Sequence, residues 1–125
     1  MIKETQKQGE GRQAKFLKGN KKMLKHTLYI GLNDKESKIQ VINTLEAYKI
    51  LMNLVRAAGY DGATISEATG FYTHESGEIT IEKTLRVEIL FADENKTRAF
   101  AEAAKRALNQ ESIAIQRESI VSDLI

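Results

Sequence analysis

The chain has 125 residues, of which 42% are hydrophobic and 29% charged, with a formal net charge of +2 and no cysteine. This length and composition are typical of one soluble globular domain. The lack of cysteine excludes disulfides, thiolate metal sites and cysteine nucleophiles. No apolar stretch approaches the roughly 18 residues that span a bilayer, and the basic start is not followed by the apolar stretch of a secretory signal. We therefore expect a cytoplasmic protein with no membrane partner.

The positive charge is concentrated in residues 1–22, which contain seven basic and two acidic residues. This composition predicts a flexible basic N-terminal extension, followed by one folded domain at 23–125. Two interpretations stay open. The extension is either a disordered or upstream translated segment, since Met23 directly precedes the first predicted strand, or a basic arm that contacts nucleic-acid phosphates. Phe16 is the only aromatic residue in it that could stack on a base.

The first regular pattern is the alternation in "HTLYIGLN", which predicts a strand with Leu28, Ile30 and Leu32 on its buried face. A polar loop follows. The apolar residues that we expect to anchor this loop are Ile39, Val41 and Ile42.

A helix is predicted next, with Asn43 as its N-cap, Glu46 at the capping-box spacing and Gly59 as its C-terminal stop. Apolar residues recur in it at steps of three and four, which predicts a buried stripe. The members of this stripe are Leu45, Tyr48, Leu51, Met52 and Val55.

Two further strands, "GATISEATGFYTH" and "EITIEKTLRVEILF", follow the helix. The odd positions of the second are apolar from Ile79 onward except Lys83, which predicts one buried face. A second helix then begins after Asp93 as N-cap, and a last strand passes through Ile113 and Ile115. The inner face predicted for the second helix consists of Ala99, Phe100, Ala103, Ala104, Ala107 and Leu108.

The order strand, helix, strand, strand, helix, strand predicts an α+β fold, the ferredoxin-like βαββαβ plait. We expect a four-stranded antiparallel sheet with both helices on one face. The hairpin between the second and third strands is expected to protrude at residues 70–82.

The loop of this hairpin, "ESG", has three residues with Gly77 last, where three-residue hairpin loops need a left-handed residue. This turn pairs Phe71 with Ile81 and Ile65 with Val87, and the hydrophobic alternation selects the same register. The apolar side chains at the tip are Phe71, Ile79 and Ile81, a candidate oligomer interface. In the alternative interpretation, the apolar C-terminal residues of the same chain cover them; these residues are Ile120, Val121, Leu124 and Ile125.

Glu67 and Lys83 interrupt the otherwise apolar face of the hairpin. They form either an ion pair at a subunit boundary or part of a ligand cleft, in which Thr84 and Arg86 would add contacts to a small anionic ligand. On the other face of the tip, Tyr72 and His74 are candidates for binding a ligand or a partner.

The sequence favours no catalytic residue, cofactor or metal. No carboxylate pair has an apolar pocket that would raise a pKa for acid–base catalysis. His74 with Glu75 and Glu78 resembles a solvated turn more than a metal site. The phosphate-binding and zinc-protease motifs are absent from the sequence.

The segment "GYDGATISEATGFYTHESGEITIEKTLRVEILFADE" resembles the second strand, protruding loop and third strand of the PII-like proteins, the nitrogen-regulatory PII and CutA-type group. Gly62, Thr64 and Gly70 occupy its G-x-T-x-x-x-x-x-G pattern, and the element order matches over about residues 25–118. The resemblance implies a homo-oligomer, a trimer with ligands in clefts between subunits and a loop that contacts partners; dimeric ferredoxin-like proteins share the element order.

The sequence departs from the PII pattern between the second helix and the last strand. PII proteins have a glycine-rich phosphate loop there, whereas this chain has "LNQES". Without glycine the backbone N–H groups cannot form a close phosphate nest, so the resemblance does not carry ATP binding to this chain.

We therefore predict a non-catalytic, PII-like oligomer that acts as a regulatory or ligand-sensing protein through its subunit clefts and the 70–82 hairpin. The alternative is a small protein-interaction or nucleic-acid-associated protein that uses the basic N-terminal arm. A third hypothesis is a small ferredoxin-like enzyme, for which the sequence names no catalytic group.

Overall fold

A computed structural model describes residues 23–125, so the extension predicted at residues 1–22 lies outside the described residues. The elements are β1 (Met23–Gly31), α1 (Thr44–Ala57), β2 (Thr64–Thr73), β3 (Ile79–Leu90), α2 (Glu94–Ala107) and β4 (Ala114–Ile120). This is the predicted element order. None of the helices within residues 23–125 has the length and apolar character needed to cross a membrane.

The four strands form one sheet in the order β2-β3-β1-β4, in which all neighbouring strands are antiparallel. Alternate residues of the two central strands face the helices and form the centre of the core. These residues are Leu28, Ile30, Leu85, Val87 and Ile89, each at most 2% exposed. The predicted ferredoxin-like plait is confirmed.

The ends of α1 were predicted correctly. Asn43 Oδ1 accepts a hydrogen bond from the backbone N–H of Glu46 at 2.8 Å, which satisfies a donor of the first turn. After the helix, Gly59 has a φ of 104°, in the left-handed region that glycine adopts without strain.

The buried face of α1 differs from the predicted stripe. Its buried residues are Ala47, Leu51 and Val55. The prediction was wrong for Leu45, Tyr48 and Met52, which are 63%, 39% and 40% exposed. The helix is rotated so that the small side chain of Ala47 faces the sheet, which lets the helix approach it closely. Leu45, Tyr48 and Met52 are then turned away from the core.

Helix α2 begins as predicted, with Asp93 Oδ2 accepting the backbone N–H of Lys96 at 3.0 Å. Its buried residues are Thr97, Phe100, Ala101 and Ala104. The predicted inner face was wrong for Ala99 and Ala107, which are exposed. Thr97 is buried instead because its hydroxyl has hydrogen-bond partners inside the protein.

The loop before α1 is held by hydrogen bonds rather than by the predicted apolar anchors. Asp34 Oδ2 accepts the backbone N–H groups of Glu36 and Ser37 at 3.0 and 2.9 Å, and these bonds lower the pKa of the Asp34 carboxyl. Ile39 and Val41 are each 64% exposed. Of the three predicted anchors, Ile42 alone packs against the core.

A buried polar chain joins β1 to the start of α2. The Nδ1 atom of His26, which is fully buried, lies 2.7 Å from Thr97 Oγ1. The Thr97 hydroxyl lies 2.7 Å from the hydroxyl of Tyr60, which also accepts the Asp93 N–H at 2.8 Å and lies 2.9 Å from the Asp93 carbonyl. Burial raises the pKa of Tyr60, so this hydroxyl stays protonated at neutral pH.

The hairpin has the predicted register. Phe71 pairs with Ile81 and Ile65 with Val87. Gly77 has a φ of 92°, and the backbone N–H of His74 donates to the carbonyl of Glu78 at 2.8 Å.

The C-terminal end of β4 lies at the opposite end of the sheet from the hairpin tip. Ile120 pairs with Met23, whereas Thr84, near the tip, pairs with Gly31 at the other end of β1. At about 3.3 Å per residue, the end of β4 lies about 36 Å along the sheet from Ile81. Five extended residues reach only about 17 Å, so the expectation that Val121–Ile125 of the same chain cover the hairpin was wrong.

A side chain from β3 approaches Gly31 closely. The carboxylate of Glu82 occupies the space that a Cβ atom at position 31 would need. Its Oε2 atom accepts the backbone N–H of Asn33 at 2.8 Å, which fixes the exit of the chain from β1.

Candidate functional site: the cleft between α1 and β2

An open cleft of about 240 Å³ lies between the start of α1 and the start of β2. Its lining residues are Thr44, Leu45, Tyr48, Ile65, Ser66, Glu67 and Leu85. The cleft therefore combines apolar side chains with one aromatic ring and one carboxylate, a composition typical of small-molecule sites.

Glu67 is the charged residue of this cleft. Its Oε1 atom lies 3.6 Å from Lys83 Nζ, and the two side chains are 62% and 56% exposed. Because water solvates both groups, the pair adds little to stability and can be separated at low cost. The predicted neighbourhood of Glu67 and Lys83 is present, and the carboxylate is free to turn towards a ligand.

Thr84 and Arg86 do not join this pair. Successive residues of a strand point to opposite faces, so Thr84 and Arg86 lie on the face of the sheet away from the helices. There Arg86 Nε donates to Ser66 Oγ at 3.3 Å and lies 3.7 Å from a carboxylate oxygen of Glu88. The anion site expected from these residues with Lys83 is therefore not assembled within one chain.

Tyr72 and His74 lie together at the hairpin tip, remote from the cleft. Their rings meet edge to face with 4.8 Å between centroids, and His74 Nε2 lies 2.8 Å from Thr80 Oγ1. These contacts orient both rings on an exposed arm. No group of three or more His, Cys, Asp or Glu residues that could hold a metal ion occurs within residues 23–125.

Uncovered apolar side chains lie on the helix side of the cleft and, farther along the sheet, at the hairpin tip. On the hairpin, Phe71, Ile79 and Ile81 are 74%, 57% and 69% exposed. On the helix side are the exposed residues that were wrongly expected in the core: Leu45, Tyr48 and Met52. Exposed groups of large apolar side chains mark interaction sites. One feature of the sequence could have indicated this exposed group. The apolar stripe of α1 contains more residues than the buried face of one helix can hold.

The first residues of the connection between α2 and β4 form hydrogen bonds within the protein. The backbone N–H groups of Asn109 and Gln110 donate to the last carbonyls of α2, at 3.3 and 2.9 Å. The Gln110 amide donates to the carbonyls of Asn33 and Leu108 at 2.8 and 3.2 Å. These two backbone donors are therefore not available to form an anion nest.

No protein-family model matches the sequence, and a search of curated proteins likewise found no match. Solved structures do match. A phage SAM lyase in complex with S-methyl-5′-thioadenosine has a TM-score of 0.62 at 18% identity, over 78% of this chain and 81% of the lyase. CutA from Synechococcus elongatus has a TM-score of 0.53 at 11% identity, over 80% and 78%. The B. subtilis GlnK–ATP complex has a TM-score of 0.51 at 18% identity, over 79% and 82%.

The fold is that of the PII and CutA proteins. The resemblance predicted from the strand and hairpin residues is thus confirmed for the fold. The phage lyase shares this fold, so one architecture includes an enzyme as well as GlnK and CutA. Fold alone does not select a function, and the chemistry must be argued from the cleft.

Proposed function

We propose that this chain forms a homotrimer that binds a 5′-substituted adenosine in clefts between subunits, beside Glu67. The observation that carries the proposal is the α1–β2 cleft, in which this carboxylate lies among apolar and aromatic side chains. Two solved structures of this fold hold adenosine derivatives, S-methyl-5′-thioadenosine in the phage lyase and ATP in GlnK. A planar base can pack on Tyr48 and the neighbouring aliphatic side chains.

The need for a second subunit follows from what one chain leaves uncovered. The cleft is open to solvent, and the apolar surfaces beside it and at the hairpin tip have no cover within residues 23–125. Val121–Ile125 of the same chain cannot reach the hairpin. A neighbouring copy packed against these surfaces would bury the apolar side chains and close the cleft.

The charge of the cleft favours a ligand without phosphates. The backbone N–H groups of Asn109 and Gln110 in the α2–β4 loop already donate within the protein, and Arg86 faces the other side of the sheet. Glu67 would instead repel a triphosphate and attract a cation. A thioether or sulfonium at the 5′ position, as in S-methyl-5′-thioadenosine or S-adenosylmethionine, fits these conditions better than ATP.

A second candidate function is cleavage of S-adenosylmethionine. The observation that favours it is the carboxylate of Glu67 in the cleft, together with the fold shared with the phage lyase. If the substrate's own carboxylate attacks the carbon bonded to the sulfonium sulfur, a lactone ring closes as that carbon–sulfur bond breaks. S-methyl-5′-thioadenosine then leaves as a neutral thioether, and the lactone of the amino acid is the second product. A carboxylate beside the sulfur can hold the substrate cation in place for that step.

Calorimetric titration with S-adenosylmethionine, S-methyl-5′-thioadenosine and ATP tests the ligand. We expect binding of the first two and weak or absent binding of ATP. Glu67→Gln should weaken S-adenosylmethionine binding about tenfold or more, which corresponds to about 1.4 kcal/mol, and affect the neutral thioether less. Glu75→Gln, which removes a carboxylate from the hairpin loop, is the matched control and should bind as the wild type does.

The opposite ranking, with ATP bound most tightly and Glu67→Gln without effect, would refute the proposed ligand class. Lyase activity is measured separately, by chromatography of S-methyl-5′-thioadenosine formed from S-adenosylmethionine. If the wild type forms more S-methyl-5′-thioadenosine than buffer alone and than the Glu67→Gln variant, the lyase activity is supported. Binding without product rejects the lyase and leaves the binding protein.

Light-scattering molar mass tests the assembly. We expect about 42 kDa, three times the mass of the 14.0 kDa chain. Phe71→Asp on the apolar face of the hairpin should lower this mass, whereas Tyr72→Asp on the other face is the matched control. A monomeric wild type at micromolar concentration would contradict the subunit clefts, and a mass of two chains would replace the trimer with a dimer.

The regulatory role predicted for the 70–82 hairpin remains a proposal. Tyr72 and His74 present oriented rings on the face that the apolar tip residues leave free, which suits contact with a protein partner. The nucleic-acid alternative depends on residues 1–22, outside the described part of the chain. If the chain is retained on a DNA or RNA column equally well after those residues are deleted, the nucleic-acid alternative is rejected.

A further inference from the structure

The ring of His26 has one buried nitrogen without a hydrogen-bond partner. Its Nδ1 atom lies against Thr97, but Nε2, equally buried, has no partner. Glu94 Oε1 lies 3.8 Å from this nitrogen. A neutral imidazole tolerates this arrangement because one of its nitrogens is only an acceptor, whereas in the protonated ring both nitrogens must donate.

Glu94 is itself held by another residue. Arg117 Nε donates to its Oε1 atom at 2.8 Å and Arg117 Nη2 to its Oε2 atom at 2.7 Å. This two-point ion pair ties the first turn of α2 to β4. It lowers the pKa of Glu94, which therefore remains a carboxylate in mildly acidic solution.

The charged groups around the ring come from α2 and β4. From α2 and its cap, Glu94 and Asp93 favour a protonated ring; from β4, Arg117 opposes it. Arg117 is also the residue directly opposite His26 in the β1–β4 ladder. On the side of the buried polar chain the ring meets the hydroxyl of Thr97, backed by that of Tyr60.

We propose that His26 is a pH-operated switch that draws Glu94 away from Arg117 when its ring takes up a proton. A proton from solvent makes Nε2 a donor, and an inward shift of the Glu94 carboxylate by about 1 Å brings it into hydrogen-bond range. The same proton places a second positive charge opposite Arg117, which repels the guanidinium. The tie between α2 and β4 then loosens. This switch is independent of the ligand cleft and of the proposed function.

The direction of the pH dependence follows from burial. Burial lowers the pKa of His26 below its usual 6.5, with Glu94 acting in the opposite direction. The unfolded chain therefore binds this proton at a higher pH than the folded chain does. The stabilisation is fully present above about pH 6.5 and is lost as the pH falls towards the folded-state pKa. β4 is expected to loosen at lower pH, as the pH falls through the folded-state pKa and the ring of the folded chain takes up its proton.

Nuclear magnetic resonance of the full chain tests the switch. Ring signals of His26, assigned by comparison with His26→Gln and His74→Gln, report its protonation between about pH 7.5 and pH 4.5. We expect the Arg117 Nε–H signal to shift with the same midpoint as the His26 ring. In Glu94→Gln, the His26 midpoint should move to lower pH, and the Arg117 signal should follow it with a smaller change, because only the direct repulsion by the ring remains.

If the His26 ring becomes protonated while the Arg117 signal stays constant, the proposal is overturned, and His26 has only a structural role. An Arg117 signal that changes solely in the global unfolding of the chain would overturn the proposal equally. His26→Gln supplies the internal check, because its Arg117 signal should stay constant until Glu94 itself takes up a proton at lower pH.

Discussion

Replacing Tyr60 by phenylalanine should destabilise the protein through loss of a single oxygen atom. That hydroxyl lies within 2.9 Å of three groups, the backbone N–H and carbonyl of Asp93 and the hydroxyl of Thr97. It therefore connects the loop after α1 to the cap and first turn of α2. Phenylalanine keeps the shape and the apolar contacts of the ring, so the change isolates the polar contribution.

The magnitude follows from the number of bonds lost and the burial of their partners. A net hydrogen bond is worth about 1 kcal/mol, and a buried group left without a partner costs about 1–3 kcal/mol. Thr97 is fully buried and keeps its contact with His26, whereas Asp93 is exposed and its backbone groups can recover water. We expect a loss of about 2 kcal/mol in the free energy of unfolding.

Urea unfolding at one fixed protein concentration is the suitable assay, because association changes the apparent stability of an oligomer. A loss of about 2 kcal/mol corresponds to a fall of about 10 °C in melting temperature for a domain of this size. Tyr29→Phe is the matched control, since its exposed hydroxyl meets Gln116 at only 3.5 Å, and it should cost less than about 0.5 kcal/mol. Equal small effects in the two variants would refute the view that the buried polar chain stabilises the fold.

Two further substitutions test local structure. Gly77→Ala should destabilise the hairpin by about 1–2 kcal/mol in urea unfolding, because alanine is strained at a φ of 92°; Gly62→Ala, where the new Cβ likewise meets nothing within 4 Å, should cost less. Asn43→Ala should lower the unfolding free energy by about 1 kcal/mol through loss of the cap on Glu46, whereas an unchanged value would show that water replaces it.

The strands and the hairpin could be predicted from the sequence because independent local signals agree there. The alternation of β3 and the position of Gly77 selected one register, and that register is the observed one. The two N-caps could also be predicted from the sequence, because the Asn or Asp side chain and the backbone N–H that donates to it lie only three residues apart. In each case the signal and the structure it specifies lie within a few residues of each other.

The rotation of α1 about its axis could not be predicted from the sequence. Apolar residues recur at steps of three and four on two overlapping faces of this helix, so the spacing does not select one of them. The face with Ala47 faces the sheet, and the face with Leu45 and Met52 remains exposed. The grouping of Arg86 with Lys83 was avoidable, since residues an odd number apart in a strand face opposite ways. The buried chain of His26, Thr97 and Tyr60 had no sequence signal, because its members come from three separate segments.

The close approach of Glu82 to Gly31 has a consequence for evolution. A Cβ atom at position 31 would push the flexible carboxylate of Glu82 aside, and that carboxylate could then no longer accept the Asn33 N–H from its present position. A shorter residue 82, in turn, removes the partner of the Asn33 N–H and the reason for a glycine. In an alignment of relatives, positions 31 and 82 are therefore expected to change together, although they are far apart in the sequence and neither lines the cleft.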